Sequence, residues 1–142
     1  MLTMRSALER AQRLYGANTA IIDRECRFTW AQHMDRVMRL ASVLQENGVG
    51  KGDRFAVICR NTWRHCELLH AGYWNGSVPV PVNYRLAPPE IRHILDDAGI
   101  DSCLSRTRFW RFSTMPNSRP GARPRSAFTA MAAKRRFACA TI

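Results

Sequence analysis

The last 38 residues of this 142-residue chain contain no aspartate or glutamate. Residues 105–142 hold nine of the 22 lysines and arginines, whereas residues 1–104 hold the other 13 together with all 11 acids. The formal net charge of +11 therefore divides into +2 and +9, which argues against a uniformly basic protein. We interpret residues 1–104 as a nearly neutral domain and residues 105–142 as an irregular basic tail made to a different composition.

Two interpretations of the acid-free tail are open. Arginine, alanine, proline, glycine and serine dominate it, as expected for a GC-rich gene translated out of frame or for a disordered segment. Alternatively, residues 106–112 (RTRFWRF) mix basic and aromatic side chains in the way of segments that bind single-stranded nucleic acid. The chain is therefore either a domain followed by an unrelated tail or, alternatively, a small basic protein that binds nucleic acid through this tail.

Long apolar runs are absent as well. No segment approaches the roughly 18 apolar residues that a membrane-spanning helix needs, so we expect no membrane span. The first 16 residues lack the apolar centre of a secretory signal and favour an amphipathic first helix. The cysteines form no Cys-x-x-Cys pair, so we expect mostly buried, reduced thiols and a cytoplasmic location (Cys26, Cys59, Cys66, Cys103, Cys139).

Familiar catalytic patterns are also missing. Residues 48–53 (GVGKGD) share only glycine and lysine with phosphate-binding loops, which follow a strand and open a helix; here the predicted order is reversed. No Gly-x-Ser-x-Gly motif occurs. Asp96 and Asp97 are adjacent on a predicted helix, so their side chains diverge by about 100° and do not form an acid–base pair. We therefore nominate no catalytic residue.

One cysteine–histidine pair has the spacing of metal ligands. Cys66 and His70 lie four residues apart on one predicted helix face. A zinc site needs three or four ligands, and the nearby candidates are Cys59 and His65, of which His65 lies on another side of the helix. We expect a half-buried thiol and a hydrogen-bonded imidazole here, and nominate no metal ligand.

The first 104 residues alternate between predicted strands and helices. Runs at 20–23 and 26–29 predict a hairpin, and Thr29 with Gln32 predicts a capping box for a helix that Gly48 ends. The order β-α-β-α-β then predicts an α/β fold with a parallel sheet and right-handed crossovers. The predicted strands are 54–59, 77–82 and 100–104, and the prolines of the second make it an edge strand. The predicted helices are 63–75 and 88–98, and Asn61 or Thr62 is expected to cap the first of them.

An ordered series of motifs runs from about residue 6 to about residue 100. It includes FTWAQ at 28–32, GVGKGDR at 48–54, AGYWNGSVPVPVNYRL at 71–86 and ILDDAG at 94–99. Each motif is weak alone, but the ordered set resembles the amino-terminal portion of the adenylate-forming superfamily, specifically the acyl-CoA synthetases. The resemblance implies that the fold is the incomplete amino-terminal subdomain of these α/β enzymes.

The resemblance also implies an ATP-dependent ligase that joins a carboxylic acid, such as a fatty acid, to CoA. In that family the carboxylate attacks the α-phosphate of Mg-ATP to give an acyl-adenylate, and the CoA thiolate then displaces AMP. The family's phosphate loop, adenylate-binding motifs and carboxy-terminal lysine have no counterpart here, so we expect this chain alone to be inactive and to bind no ATP, Mg or CoA. One site residue is implied: Arg85, in the loop 83–85, near a CoA phosphate.

Overall fold

The computed structural model describes residues 3–100, 102–105 and 109–111. Within these ranges the predicted hairpin, strands and helices of the first 104 residues are present, close to their expected bounds. The elements are α1 (Met4–Tyr15), β1 (Thr19–Asp23), β2 (Cys26–Thr29), α2 (Trp30–Glu46), β3 (Arg54–Ile58), α3 (Trp63–Asn75), β4 (Val78–Pro81), α4 (Pro88–Asp97), β5 (Ser102–Ser105) and β6 (Phe109–Arg111).

The larger sheet has the strand order β4-β3-β5-β6. Because β3 pairs in parallel with both β4 and β5, the predicted parallel β-α-β-α-β arrangement is confirmed. Strand β4 lies at one end of this order. Proline has no backbone N–H to donate, and an edge strand needs donors on one side only, so its prolines cost the fewest hydrogen bonds there. Strand β6 pairs antiparallel with β5, so residues 109–111 are a strand within the segment that we expected to be irregular. A strand of three residues is too short to show a periodic pattern in the sequence, so β6 is recognisable only from its pairing with β5. Most of the tail lies outside the described residues.

Strand β3 is buried on both faces. Phe55 and Val57 pack into a cluster with side chains of α2 and α3, including Leu44. Ala56, between them, points to the opposite face, where Leu95 of α4 belongs to the second cluster. This double burial explains why the strand is a continuous apolar run and why helices cover both faces of the sheet.

Helix α2 begins and ends as its sequence predicts. The Gln32 amide donates to Thr29 Oγ1 at 3.2 Å and the Thr29 amide donates to Gln32 Oε1 at 3.0 Å, which is the predicted capping box. At the other end Gly48 adopts a left-handed φ of 80°. The Val49 amide donates back to the Leu44 carbonyl at 2.9 Å, and both side chains are buried in the same cluster. The helix end is therefore fixed by backbone bonds and by packing together.

The amino terminus of α3 is capped by a residue far away in sequence. Thr62 occupies the N-cap position, as one of the two predicted candidates, but its side chain makes no capping hydrogen bond. Instead Asp23, the last residue of β1, accepts a hydrogen bond from the Trp63 amide at 2.9 Å. A carboxylate at this position satisfies a free amide and complements the positive end of the helix dipole. Local sequence patterns cannot show this cap because it depends on how the β1–β2 hairpin docks.

A helix that crosses a bilayer must be about 20 residues long and mostly apolar. Across the described residues, no helix is both long and apolar enough to cross a membrane.

Candidate functional site

The carboxyl ends of β3 and β4 bring two arginines to one edge of the sheet. Parallel strands end at the same edge, so Arg60, just after β3, lies near Tyr84 and Arg85, which follow β4. Helices α3 and α4, which leave these two strands, pack on opposite faces of the sheet. In open α/β sheets, the crevice outside the carboxyl ends of such strands is where ligands bind.

The two arginines share one aromatic ring. The guanidinium carbon of Arg60 lies 5.7 Å from the centre of the Tyr84 ring, and that of Arg85 lies 5.5 Å from it. Arg85 Nε also donates a hydrogen bond to Tyr84 Oη at 3.1 Å. All three side chains are exposed. Arg60 was missed by sequence reasoning because nothing in its own neighbourhood singles it out; the parallel pairing of β3 with β4 places it beside Arg85.

The loop that carries Tyr84 and Arg85 is held by hydrogen bonds. The amide of buried Val82 donates to the Val57 carbonyl at 3.0 Å, which continues the attachment of β4 to β3. The Arg85 amide donates to Asn83 Oδ1 at 3.0 Å, so the asparagine side chain closes a local turn. The position of the Arg85 backbone is thereby fixed relative to the sheet.

No described carboxylate neutralises these two arginines. The ion pairs found among the described residues join Arg5 to Glu9, Arg36 to Glu67 and Arg39 to Asp35. Glu90, the acid nearest in sequence to Arg85, accepts a hydrogen bond from the Ala87 amide at 2.7 Å. The carboxyl edge of β3 and β4 therefore presents positive charge, which suits an anionic ligand.

The cysteines and histidines do not assemble as ligands in the part of the chain that is described. Cys66 and His70, which share a predicted helix face, find separate surroundings: Cys66 is exposed, and His70 contacts His33. His65 contacts Cys59 instead, with 3.3 Å between Nδ1 and Sγ. Burial raises the pKa of the Cys59 thiol and lowers the pKa of His65, so this pair is neutral and is no thiolate–imidazolium nucleophile. No cluster of three metal-ligating side chains is found among these residues.

His33 and His70 form a second pair that sequence reasoning missed. His33 Nε2 lies 2.8 Å from His70 Nδ1, so His70 is the hydrogen-bonded imidazole that we expected. His33 is completely buried, and its Nδ1 has no hydrogen-bond partner among the described atoms. Burial, with smaller contributions from His70 and Arg36, lowers the pKa of His33 to about 4. Both rings are neutral at pH 7 and serve packing between α2 and α3.

The expectation of five reduced cysteines holds only in part. Cys59, Cys66 and Cys103 are free. Cys26 is disulfide-bonded, so the prediction is wrong for this residue. The absence of a Cys-x-x-Cys motif excludes only a disulfide at that spacing and says nothing about cysteines far apart in sequence. Cys139 lies outside the described residues.

Residues 48–53 form a turn, as predicted. The Gly52 amide donates to the Gly76 carbonyl at 2.9 Å and the Gly50 amide donates to Asp53 Oδ2 at 2.9 Å. These amides are already used within the protein and do not face a phosphate. Asp96 and Asp97 are both exposed at the end of α4. The side chains of the basic and aromatic segment 106–112 lie outside the described residues, so the structure does not test the nucleic-acid alternative.

Comparison with known proteins assigns the fold to a family. The model of the AMP-binding enzyme family matches residues 8–132. The chain belongs to the AMP-binding enzymes. This match begins within α1, covers the other three helices and extends past Leu104 into the acid-free tail.

The curated AMP-binding enzymes most similar to the chain include CoA ligases. It is 34% identical over 96 residues to 4-hydroxybutyrate–CoA ligase 2 of Metallosphaera sedula, covering 68% of this chain and 18% of that protein. It is 41% identical over 75 residues to the long-chain-fatty-acid–CoA ligase FadD13 of Mycobacterium tuberculosis, covering 53% of this chain and 15% of that protein. The chain thus spans less than a fifth of the length of these relatives.

Solved structures of AMP-binding enzymes share the fold. The inhibitor-bound N-terminal domain of FACL13 from M. tuberculosis matches with a TM-score of 0.71 and 32% identity, over 74% of this chain and 27% of that one. The predicted fold class, an incomplete amino-terminal subdomain of the adenylate-forming fold, is therefore confirmed.

Proposed function

We propose that the chain is the amino-terminal part of a cytoplasmic, ATP-dependent ligase that joins a carboxylic acid, of the fatty-acid class, to CoA through an acyl-adenylate. The observation that carries this proposal is the structural match to the N-terminal domain of FACL13 together with 41% identity to FadD13. The free thiols of Cys59, Cys66 and Cys103 support a reducing compartment, although the disulfide of Cys26 does not. Cell fractionation tests the location.

Within that enzyme, Arg85 contacts a phosphate of CoA. Its guanidinium is exposed at the carboxyl edge of the parallel strands and has no ion-pair partner among the described residues. ATP and Mg are bound by parts of the ligase that these residues do not include. The chain alone consequently forms no acyl-adenylate, because transfer at the α-phosphate requires positioned cations and hydrogen-bond donors around the phosphates.

The first test is ATP–pyrophosphate exchange with the purified 142-residue chain. We expect no exchange above a no-protein control with any carboxylic acid, and measurable exchange with FadD13 assayed in parallel. Exchange catalysed by this chain would contradict the proposed inactivity.

The second test is a chimera in which residues 8–104 replace the matching segment of FadD13. We expect it to form acyl-CoA from a long-chain fatty acid, whereas FadD13 with that segment deleted does not. In the chimera, Arg85→Ala should raise the KM for CoA with little effect on the KM for ATP. A chimera that folds but forms no thioester would count against the ligase assignment.

A further inference from the structure

We propose that Pro79 and Pro81 seal the free edge of β4, which is its side away from β3, so that β4 of one molecule cannot pair with β4 of a second copy of the chain. Such pairing would join two molecules through a shared sheet. The prolines prevent it independently of whether the proposed function is correct. The direction of each backbone amide in β4 decides whether this edge can take a further strand.

The amides of β4 alternate between its two sides. The Val78 amide donates to the Asp53 carbonyl at 2.8 Å and the Val82 amide donates to the Val57 carbonyl at 3.0 Å, so the even-numbered positions face β3. The register between β3 and β4 is continuous, and successive backbone groups of a strand point to opposite sides. Positions 79 and 81 therefore face the free edge, and both hold proline, which has no N–H.

The next outward position, Ser77, has no free amide either. Its N–H donates to the Gly72 carbonyl at 3.0 Å and to Asn75 Oδ1 at 2.9 Å. From 77 to 81 the free edge thus offers no N–H donor, while the carbonyls of both prolines point outward. A strand added there would find no donors for its own carbonyls, and burying unpaired carbonyls costs free energy.

Strand β4 otherwise has the properties of a strand that self-associates. Residues 71–84 contain no Asp, Glu, Lys or Arg, and valine, a strong strand former, occupies 78, 80 and 82. Val78 is 46% exposed, and among the described strands β4 has a neighbour on one side only. Proteins protect such edges with charge, a bulge or proline. The described part of β4 has neither charge nor bulge, so its protection comes from the prolines.

The test compares self-association of the 142-residue chain with that of proline variants. Pro79→Val/Pro81→Val supplies both missing donors and keeps an apolar side chain at each position. Pro81→Val alone supplies one donor at an exposed position and leaves buried Pro79 against Gly72 of α3. Pro88→Val/Pro89→Val is the matched control, because it makes the same exchange in the exposed first turn of α4.

Sedimentation velocity at several concentrations measures the association, and hydrogen exchange measures the protection of the amides introduced at 79 and 81. We expect the double variant to associate roughly tenfold more tightly than the wild type, as the gain of at least one net hydrogen bond implies. Pro81→Val should show a smaller gain, and the α4 control should match the wild type. The new amides should exchange slowly in the associated form and rapidly in the monomer.

A charge on the same strand should reverse the effect. Val78→Lys, added to the double variant, places like charges close together wherever two β4 strands pair, so the association should return to the wild-type level. The same substitution in the wild-type chain should leave its association unchanged.

Four outcomes would overturn the inference. The first is a folded double variant that associates no more than the wild type. The second is a gain in association while the new amides still exchange rapidly, which places the contact elsewhere. The third is an equal gain in the α4 control, and the fourth is a wild-type association that Val78→Lys abolishes. If circular dichroism shows that the double variant has lost the fold, Pro81→Val decides by the same criteria.

Discussion

At the scale of single residues, the neutral His33–His70 pair couples folding to pH. His33 is completely buried with a pKa of about 4, and the pKa of His70 is also lowered by burial. Both imidazoles bind protons more readily in the unfolded chain, where an ordinary histidine has a pKa near 6.5. Their contribution to stability is therefore complete above pH 6.5 and is lost as the pH falls toward 4.

The free energy of unfolding should consequently fall between pH 6.5 and pH 4. The difference between the pKa of His33 in the folded protein, about 4, and in the unfolded chain, 6.5, lowers the free energy of unfolding by about 3 kcal/mol in all, at about 1.4 kcal/mol per pKa unit. Glu67 acts in the opposite direction, because burial raises its pKa in spite of its ion pair with Arg36. Urea denaturation at half-unit pH steps measures the net dependence.

His33→Gln isolates the histidine contribution from that of Glu67. The glutamine amide places a nitrogen near the position of Nε2 and does not titrate, so the variant should show a shallower fall in stability below pH 6.5. Identical pH dependence in the two proteins would show that His33 does not control it.

At the scale of elements, the positions of helices and strands follow from local patterns. The Thr29–Gln32 capping box, the left-handed Gly48 and the apolar run of β3 are all visible in the sequence and all form as predicted. Two features were not predicted because they depend on residues far apart in sequence: the cap of α3 by Asp23 and the disulfide of Cys26. Strand β6 became visible only through its pairing with β5. In the candidate site, Arg85 was predicted through a family resemblance, whereas Arg60 emerged from strand pairing.

The contact between α3 and the sheet is set by Gly72. A Cβ added there would lie 2.9 Å from the Phe55 ring and 3.0 Å from Pro79 Cδ, and the Phe55 ring is completely buried. We expect Gly72→Ala to lower the free energy of unfolding by about 1–3 kcal/mol, because overpacking outweighs the better helix propensity of alanine. Chemical denaturation measures the change.

Gly50→Ala is the matched control for this substitution. Its added Cβ would meet only Asp53 Oδ2, at an ordinary 3.7 Å. Stability equal to or above the wild type in Gly72→Ala would show that α3 can move away from the sheet at little cost.

At the scale of the whole molecule, the boundary at Leu104 is a prediction that DNA sequence can test. If residues 105–142 are translated out of frame, one of the other two reading frames after codon 104 should encode the family's Ser/Thr/Gly-rich phosphate loop. If neither frame does, the family match through residue 132 favours a tail translated in its proper frame. Sequencing the gene from independent isolates excludes a reading error.

The Asp23 cap also has a consequence for the order in which the chain folds. The β1–β2 hairpin needs only local contacts, and such hairpins form within microseconds. The hydrogen bond from Trp63 to Asp23 joins residues 40 positions apart, so it closes a much longer loop than the hairpin does, at a greater cost in chain entropy. We therefore expect the capping hydrogen bond of α3 to form later in folding than the β1–β2 hairpin that supplies Asp23.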